Sequence, residues 1–372
     1  MLGPQETILP PPAVHDSLVV LDYNDLVSDS VDLTTQLQSA FGAEGLGACV
    51  VTNVPGYVGK REKLLKLASA LANLPQEALK KAEHEESSYL FGWSHGKEIM
   101  NGKADFAKGS LYNNPVYDVV PNADEEYKKK FPAYGCSNVW AEELPELKDA
   151  FMDLGGLIVK TGQLVARHCD KYLSKEHPDL PANFLESAIA ESTTVKARLL
   201  HYFPIEEPAK PETATTTADS TQPEDSWCGL HVDHSMLTGL TSAMYVDESE
   251  AGTYTEIDAA NIAAQNAQMG RNLAQSGLYI KTRGGKFVKV KIPKDAVAFQ
   301  IGEAAQIASR GLLVATPHLV KGAPIPAGSG MVIARNTFAV FMQPNVDHKL
   351  TADQTFHQFT EEVMKRHYAD RM

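Results

Sequence analysis

The first half of the chain alternates short apolar runs with segments in which apolar residues recur at helical spacing. The pattern predicts strands at residues 17–26 and 47–56, the second closed by a Pro-Gly turn. It predicts helices at 30–45, 61–75 and 141–174, the last being the longest. This half is therefore expected to be mixed helix and strand.

The segment from residue 84 to 135 has weak periodicity and is rich in glycine, asparagine and tyrosine. This composition predicts a long ordered loop, and loops of such length are usually functional or flexible. Its part at 90–118 is expected to line a pocket.

After about residue 192 the pattern changes to short apolar segments separated by turn residues. Such segments predict antiparallel strands in a sandwich or jelly roll. The predicted strands are 193–204, 229–247, 277–282, 286–292, 296–301, 305–315 and 331–342. Residues 208–225 contain almost nothing apolar and predict a mobile surface insertion. The later part of 248–276 and the C-terminal tail are expected to be helical.

Composition and charge limit the classes of protein to which this chain can belong. The 372 residues are 43% hydrophobic and 22% charged, with a net charge of −13, so the chain is globular and poorly suited to nucleic acid or anionic membranes. It has no apolar run long enough to span a bilayer and no signal-peptide pattern. Its four cysteines are scattered. We therefore expect reduced thiols in a cytoplasmic protein with no membrane or nucleic-acid partner.

Candidate metal ligands stand out in the sequence WCGLHVDHSMLTGL, which begins at Trp227. His231 and Asp233 are two apart, so on a strand they would share a face. A third ligand must come from elsewhere, and His318 follows an apolar run in a strand-rich region. Two imidazoles and one carboxylate form the facial triad of non-haem Fe(II) oxygenases. Six other histidines lie in polar or helical segments and are expected at the surface: His15, His84, His168, His177, His357 and His367.

The H-x-D pattern alone is weak, because a hydrogen-bonded pair at a strand end would look the same. A second pattern strengthens the metal interpretation. Arg335 and Thr337 are also two apart, on a strand face that is otherwise apolar. A buried guanidinium there requires an anion, and its planar fork suits a carboxylate. A dicarboxylate bound to a metal at one end could meet this pair at the other.

The order H-x-D, distal histidine, Arg-x-Thr resembles the isopenicillin N synthase-like branch of the Fe(II)/2-oxoglutarate dioxygenases. The segment LHVDHSMLTGL is similar to that family's H-T-D-x-x-x-L-T-x-L strand, and FAVFMQP is similar to the segment after its arginine. The N-terminal GLGACVVTNVPG also resembles the family's N-terminal region. The resemblance extends over roughly residues 17–345.

This resemblance implies an α+β fold with a mainly β core. The core would be a double-stranded β-helix (jelly roll, cupin-like) flanked by helices from an N-terminal region and by a C-terminal helix. The implied domain organisation is an N-terminal region at 17–135, helical support at 136–191, the oxygenase core at 192–345 and the closing helix at 346–372. The implied cofactors are Fe(II), 2-oxoglutarate and O2, with ascorbate as a candidate reductant. The implied reaction is hydroxylation of a small organic substrate with release of succinate and CO2.

The chain departs from the family's pattern in several places. The spacings from His231 to His318 and from His318 to Arg335 are both long, and Thr337 stands where serine is common. His201 and Phe203 occupy the places of a frequent Asn-x-Tyr pair, which leaves Tyr202 between them as the candidate cosubstrate contact. His234, Trp227 and Cys228 are expected to be structural, and the sequence shows no activating partner for Cys228.

Three other functions compete with the 2-oxoglutarate dioxygenase. An oxidase of the same fold would use the Arg-x-Thr pair to hold a substrate carboxylate. A non-catalytic homologue would keep only the metal. A hydrolytic zinc enzyme would leave Arg335 unexplained. The substrate is expected to be a small molecule bound by a monomer, and the candidate substrate contacts are His95, Lys97, Tyr112 and Asn114.

Overall fold

The structure, a computed structural model, describes residues 18–28, 30–100, 103–206 and 227–368. The insertion predicted at 208–225 lies outside these residues. Within them the strands are β1 (Val19–Asp22), β2 (Ala48–Thr52), β3 (Gly92–His95), β4 (Ile99–Met100), β5 (Lys103–Ala104), β6 (Lys108–Asn113), β7 (Lys196–Tyr202), β8 (Cys228–His231), β9 (Leu237–Thr241), β10 (Met244–Asp247), β11 (Thr255–Glu256), β12 (Gly277–Lys281), β13 (Phe287–Lys289), β14 (Val297–Ile301), β15 (His318–Lys321) and β16 (Ile333–Met342).

The helices lie before, between and after these strands in the sequence. They are α1 (Tyr23–Val27), α2 (Thr34–Phe41), α3 (Tyr57–Ala72), α4 (Gln76–Lys81), α5 (Glu125–Lys130), α6 (Pro132–Gly135), α7 (Glu146–Glu176), α8 (Phe184–Ala190), α9 (Ala259–Gln265), α10 (Ala267–Gln275), α11 (Glu303–Ala308) and α12 (Phe356–Tyr368). The helices predicted at 30–45, 61–75, 141–174, late in 248–276 and in the tail are confirmed. No helix of the described ranges combines the length and apolar character that crossing a membrane requires.

Two sheets form the core. The larger has the strand order β1-β2-β14-β9-β16-β7-β6-β3, with β10 and β11 continuing beside β16, and the smaller has the order β13-β12-β15-β8. The sheets face each other, since the Gln300 side chain of β14 lies 2.8 Å from the His318 ring of β15. This is the double-stranded β-helix expected from the sequence, with helices packed around it.

The strand β16 shows how sequence alternation divides the interior. Phe338, Val340 and Met342 belong to the largest apolar cluster, which includes residues of α3 and α7. Ala339 belongs instead to the second apolar cluster, and Arg335 and Thr337 alternate with it on the same face, toward the smaller sheet. Burying each large apolar side chain contributes roughly 1.5–3 kcal/mol, which fixes this assignment of faces. Arg335 and Thr337 are therefore directed into the space between the sheets.

Two predictions made from the sequence, one of a strand and one of a loop, are wrong. Residues 305–315 were predicted as a strand, but α11 occupies Glu303–Ala308, because the alanine-rich run favours helix. The segment 84–135 is not mainly loop, since β3 and β6 extend the larger sheet. Their pairing depends on β7, which is distant in sequence, and not on a local alternation.

Candidate active site

The two candidate histidine ligands lie directly opposite each other in the smaller sheet. His231 is the last residue of β8, His318 is the first of β15, and the two are paired in register. Asp233 lies in the loop that follows β8, so the predicted strand at 229–247 is interrupted here. Its Oδ1 atom is 3.7 Å from His231 Nε2 and 3.8 Å from His318 Nε2. The structure therefore brings the three predicted ligands together, with one ligand atom of each within 4.8 Å of the others.

Hydrogen bonds orient both imidazoles toward this point. His231 Nδ1 lies 2.7 Å from the Gly229 carbonyl oxygen, and His318 Nδ1 lies 3.2 Å from that of Thr316. Because a carbonyl only accepts, His231 Nδ1 donates its proton to Gly229, and both rings turn their Nε2 atoms toward Asp233. The amide of Gln300 also contacts His318 Nδ1, at 2.8 Å. Such second contacts are what set the tautomer of metal-binding histidines.

The electrostatics of the site suit a cation. Burial and the neighbouring His231 lower the pKa of His318 to about 4, so its ring is neutral at pH 7. Burial opposes protonation of His231 too, but Cys228 and Asp233 raise its pKa to about 10. Burial opposes ionisation of Asp233, but His318 and His231 hold its pKa below the usual value. One buried carboxylate and one proton thus share the pocket, and a divalent metal would displace that proton.

The donor set fits a transition metal with open coordination positions. Two imidazole nitrogens and one carboxylate oxygen form the 2-His-1-carboxylate facial arrangement of non-haem Fe(II) sites. All three side chains come from one end of the β8–β15 pair, so a bound metal would face the space between the sheets.

A buried cation with unused donors lies on the facing sheet. Arg335 is 6% exposed, and its Nε and Nη1 atoms have no hydrogen-bond partner among the described residues. Its Cζ atom lies 4.8 Å from the centre of the Tyr202 ring. Thr337, on the same face, is also buried, with its Oγ1 3.5 Å from that of Thr241. Because unsatisfied buried donors are costly, this arrangement is suited to an anion.

The register of β7 decides which residue of the LLHYFP segment faces Arg335. Tyr202 pairs directly with Arg335, so both point into the space between the sheets. His201 points to the other side, where its Nδ1 is 2.8 Å from Asn336 Oδ1. Phe203 contacts the rings of His201 and His95. Of these three residues, Tyr202 is therefore the one that faces Arg335.

Two of the four candidate substrate contacts lie in strands of the larger sheet, on opposite faces. Tyr112 lies on the inner face, opposite Arg198, and its hydroxyl donates to Glu98 at 2.7 Å. His95 lies on the outer face, 4.8 Å from the Phe203 ring.

The other two candidates have local partners. Lys97 forms an ion pair with Glu83 at 3.1 Å. The Asn114 side chain bonds backbone atoms of Val116, Tyr117 and Thr193. Of the four candidates, Tyr112 is the one placed by strand register on the face that carries Arg335.

Sequence reasoning missed a charged group next to Tyr112. Lys108 pairs with Tyr202, and Arg198 pairs with Tyr112, so both point toward the smaller sheet. Glu98 joins them, with Oε1 2.5 Å from Arg198 and Oε2 3.4 Å from Lys108. The signal was present in KARLLHY, where Arg198 and Tyr202 are four residues apart and therefore share one face of the strand.

Three further sequence expectations concern single residues. His234 is structural as expected, stacking on Phe356 with ring centroids 5.8 Å apart. His168 was expected at the surface, but it is 1% exposed, because α7 is packed on all sides at that point. Cys228 is not without a partner, since its sulfur lies 3.8 Å from His231 Nδ1.

Comparison with known proteins places the fold. No protein-family model matches the sequence, and no curated protein matches it. Solved structures do match along nearly the whole chain. A protein from Caulobacter crescentus assigned to the 2OG-Fe(II) oxygenase family has a TM-score of 0.66 at 18% identity, covering 94% of this chain and 99% of its own.

Two ligand-bound structures are also similar. Full-length T7H from Neurospora crassa in complex with alpha-KG and 5-formyluracil has a TM-score of 0.60 at 16% identity, with 91% of this chain and 89% of T7H covered. JOX2 in complex with 2OG, Fe and JA has a TM-score of 0.60 at 14% identity, with 95% and 86% covered. At these identities the likeness concerns the fold. The chain has the double-stranded β-helix fold of the 2OG-Fe(II) oxygenases.

Proposed function

We propose that this protein is an Fe(II)- and 2-oxoglutarate-dependent dioxygenase of the isopenicillin N synthase-like branch that hydroxylates a small organic substrate. One observation carries the proposal. The facial set His231, Asp233 and His318 faces the inner surface of the larger sheet, and that surface carries a buried Arg335 with unpartnered donors. A metal ligand set opposite an unpaired guanidinium fits a cosubstrate with a chelating end and a distal carboxylate.

In this function His231, Asp233 and His318 would hold the iron and leave coordination positions open for other molecules. Iron and 2-oxoglutarate supply the oxidising chemistry with O2, releasing succinate and CO2. The protein's residues bind and orient. Arg335 would donate to the distal carboxylate of 2-oxoglutarate through its planar guanidinium, with the Thr337 hydroxyl beside it.

The surroundings of Arg335 strengthen this contact. The residues beside it on the inner face include Leu200, Tyr202, Ile333 and Ala339, which are all buried. They exclude water, and a charged hydrogen bond is stronger where the local dielectric is low. Tyr202 covers the guanidinium face, which keeps the fork in a fixed plane.

We place the primary substrate against the inner face of β6 and β7. Tyr112, Lys108 and Arg198 lie there, and the last two also interact electrostatically with Cys228, next to His231. The related T7H and JOX2 structures contain the small molecules 5-formyluracil and JA. A small-molecule substrate is therefore the class we assign here, bound by a cytoplasmic monomer.

The variant Arg335→Leu tests the cosubstrate. Iron binding should be retained, because no ligand is touched, while the affinity for 2-oxoglutarate should fall by at least about tenfold, since a charged hydrogen bond contributes roughly 1.5–3 kcal/mol. Arg335→Lys should be intermediate, because a point charge replaces the fork. The measurement is an anaerobic titration of 2-oxoglutarate into the Fe(II) protein, followed by its metal-to-ligand absorption band.

The matched control is Arg310→Leu, which removes a half-exposed arginine paired with Asp179 at 2.6 Å. It should bind 2-oxoglutarate like the unmodified protein. If Arg335→Leu also binds 2-oxoglutarate normally, this arginine does not hold the cosubstrate and is left to serve a substrate carboxylate. Failure of the unmodified protein to bind 2-oxoglutarate would favour an oxidase of the same fold.

A further inference from the structure

A third buried donor lies beside Arg335 and has no role in the site described so far. The indole of Trp227 is 1% exposed, and its Nε1 atom has no hydrogen-bond partner among the described residues. The Trp227 ring centroid is 5.8 Å from Arg335 Cζ and 5.4 Å from the Tyr202 ring. Trp227 and Arg335 therefore place three unpartnered donors, the indole N–H and the Nε and Nη1 of the guanidinium, in one enclosed cluster.

These donors cannot satisfy one another, because an indole N–H and a guanidinium have no acceptor atom. Leaving three buried donors unpaired is costly, because each loses its hydrogen bonds to water without a replacement. The rest of the cluster is apolar or aromatic, with Tyr245 and Ile333 among its members. A donor-only pocket with apolar walls is suited to an anion whose oxygens carry several lone pairs.

We propose that Trp227 donates its indole N–H to the same anion that Arg335 binds. This inference rests on the proposed function, in which that anion is the distal carboxylate of 2-oxoglutarate. An ionised carboxylate accepts about four hydrogen bonds. The guanidinium and the Thr337 hydroxyl leave at least one acceptor position free, and the indole N–H fills it. Trp227 comes from the smaller sheet side, where its backbone N–H donates to the Val320 carbonyl at 3.2 Å, so the carboxylate is held from both sheets.

Trp227 is then a positioning residue for the cosubstrate and not only a packing residue. Trp227→Phe keeps an aromatic ring over Tyr202 and Arg335 and removes the N–H. The matched control is Trp140→Phe, since the Trp140 indole N–H already donates to Asp118 at 2.7 Å on a different part of the surface. Both variants remove one indole donor, but only the first removes one from the pocket.

The test compares two ligands in anaerobic Fe(II) protein, with binding followed by the metal-to-ligand absorption band. The first is 2-oxoglutarate, and the second is 2-oxovalerate, which has the same chain length and keto-acid end but no distal carboxylate. In Trp227→Phe the affinity for 2-oxoglutarate should fall about tenfold, and the affinity for 2-oxovalerate should be unchanged. Trp140→Phe should bind both ligands as the unmodified protein does.

An equal loss for both ligands in Trp227→Phe would show that Trp227 acts through packing alone, and the inference would be wrong. Unchanged binding of both would also overturn it. If the unmodified protein fails to bind 2-oxoglutarate while it binds iron, the proposed function itself is wrong and this inference falls with it. Iron binding and the circular dichroism of each variant report whether the fold is intact.

Discussion

His231 Nδ1 and His318 Nδ1 each lie against a backbone carbonyl, and this arrangement turns both Nε2 atoms toward Asp233. His318 has an additional contact, since Gln300 lies 2.8 Å from its Nδ1. Gln300 is 1% exposed and belongs to the larger sheet, so it holds a ligand of the smaller sheet in place. At the residue scale, the site depends on side chains that never touch the metal.

Gln300→Ala tests this dependence. Removing the contact frees the His318 ring to rotate, and the affinity for Mn(II), a redox-inert substitute for Fe(II), should fall by about 10- to 100-fold. Isothermal titration calorimetry measures the change. Gln343→Ala is the control, because Gln343 contacts the non-ligand His234 at 3.4 Å, and it should bind Mn(II) normally. Unchanged affinity in Gln300→Ala would mean that the Thr316 carbonyl alone orients the ring.

Alanine substitution of His231, Asp233 or His318 should abolish metal binding, because each removes one of three protein ligands. His234→Ala should retain it, since His234 stacks on Phe356. Calorimetric titration with Mn(II) separates the two groups. Normal binding by His318→Ala would show that another residue supplies the third ligand.

At the element scale, the helices support the sheet through buried contacts, and one of these is a titratable helix cap. Asp170 of α7 accepts the backbone N–H groups of Leu185 and Glu186, both at 2.9 Å, in the first turn of α8. Burial raises the pKa of Asp170 to about 7, although these two hydrogen bonds act in the opposite direction. The stability that this cap gives to the packing of α7 and α8 therefore depends on pH.

The sign of the effect follows from linkage. The folded state keeps a proton on Asp170 up to about pH 7, while the unfolded chain loses it near pH 3.8. Stability from this group is therefore full below about pH 4 and decreases as pH rises toward 7. Between pH 5 and pH 8 the free energy of unfolding should fall by about 2 kcal/mol relative to Asp170→Asn, which does not titrate.

Urea unfolding of both proteins at the two pH values measures this difference. Asp149→Asn, an exposed position on the same helix, is the control and should follow the unmodified protein. Identical pH dependence in Asp170→Asn and the unmodified protein would show that Asp170 is ionised in the folded state throughout this range.

At the scale of the whole molecule, the candidate site joins the two sheets. The candidate metal ligands lie at the end of the smaller sheet and in the loop after β8, whereas Arg335 and Thr337 belong to the larger sheet. A cosubstrate bound to both would link the two layers of the core. Ligands that bind only the folded state stabilise it by mass action.

We therefore expect the unfolding temperature to rise when Mn(II) and 2-oxoglutarate are added together. At a concentration of 100 times the dissociation constant, the gain of about 2.7 kcal/mol corresponds to roughly 3 °C for a chain of this size. Arg335→Leu should keep the increase caused by Mn(II) and lose the part caused by 2-oxoglutarate. Differential scanning fluorimetry measures both parts, and equal increases in the two proteins would contradict a role for Arg335 in cosubstrate binding.

The sequence by itself determined the features that depend on local periodicity and spacing. The long helix α7, the strand β16 and the mainly β character of the second half follow from apolar patterns, because side-chain direction repeats every 3.6 or 2 residues. The candidate ligand set could also be predicted from the sequence, since His231 and Asp233 lie close in sequence and His318 follows an apolar run.

Tertiary structure decided the features that depend on partners distant in sequence. The strands β3 and β6 exist because β7 pairs with β6 and β6 with β3, and their own sequence shows little alternation. The orientation of Tyr202 toward Arg335, and of His201 away from it, follows from the register of β7 with β16. The unpartnered donors of Trp227 and Arg335 became visible only in the folded chain. Periodicity reports which face a residue occupies, but only packing determines which atoms meet across the two sheets.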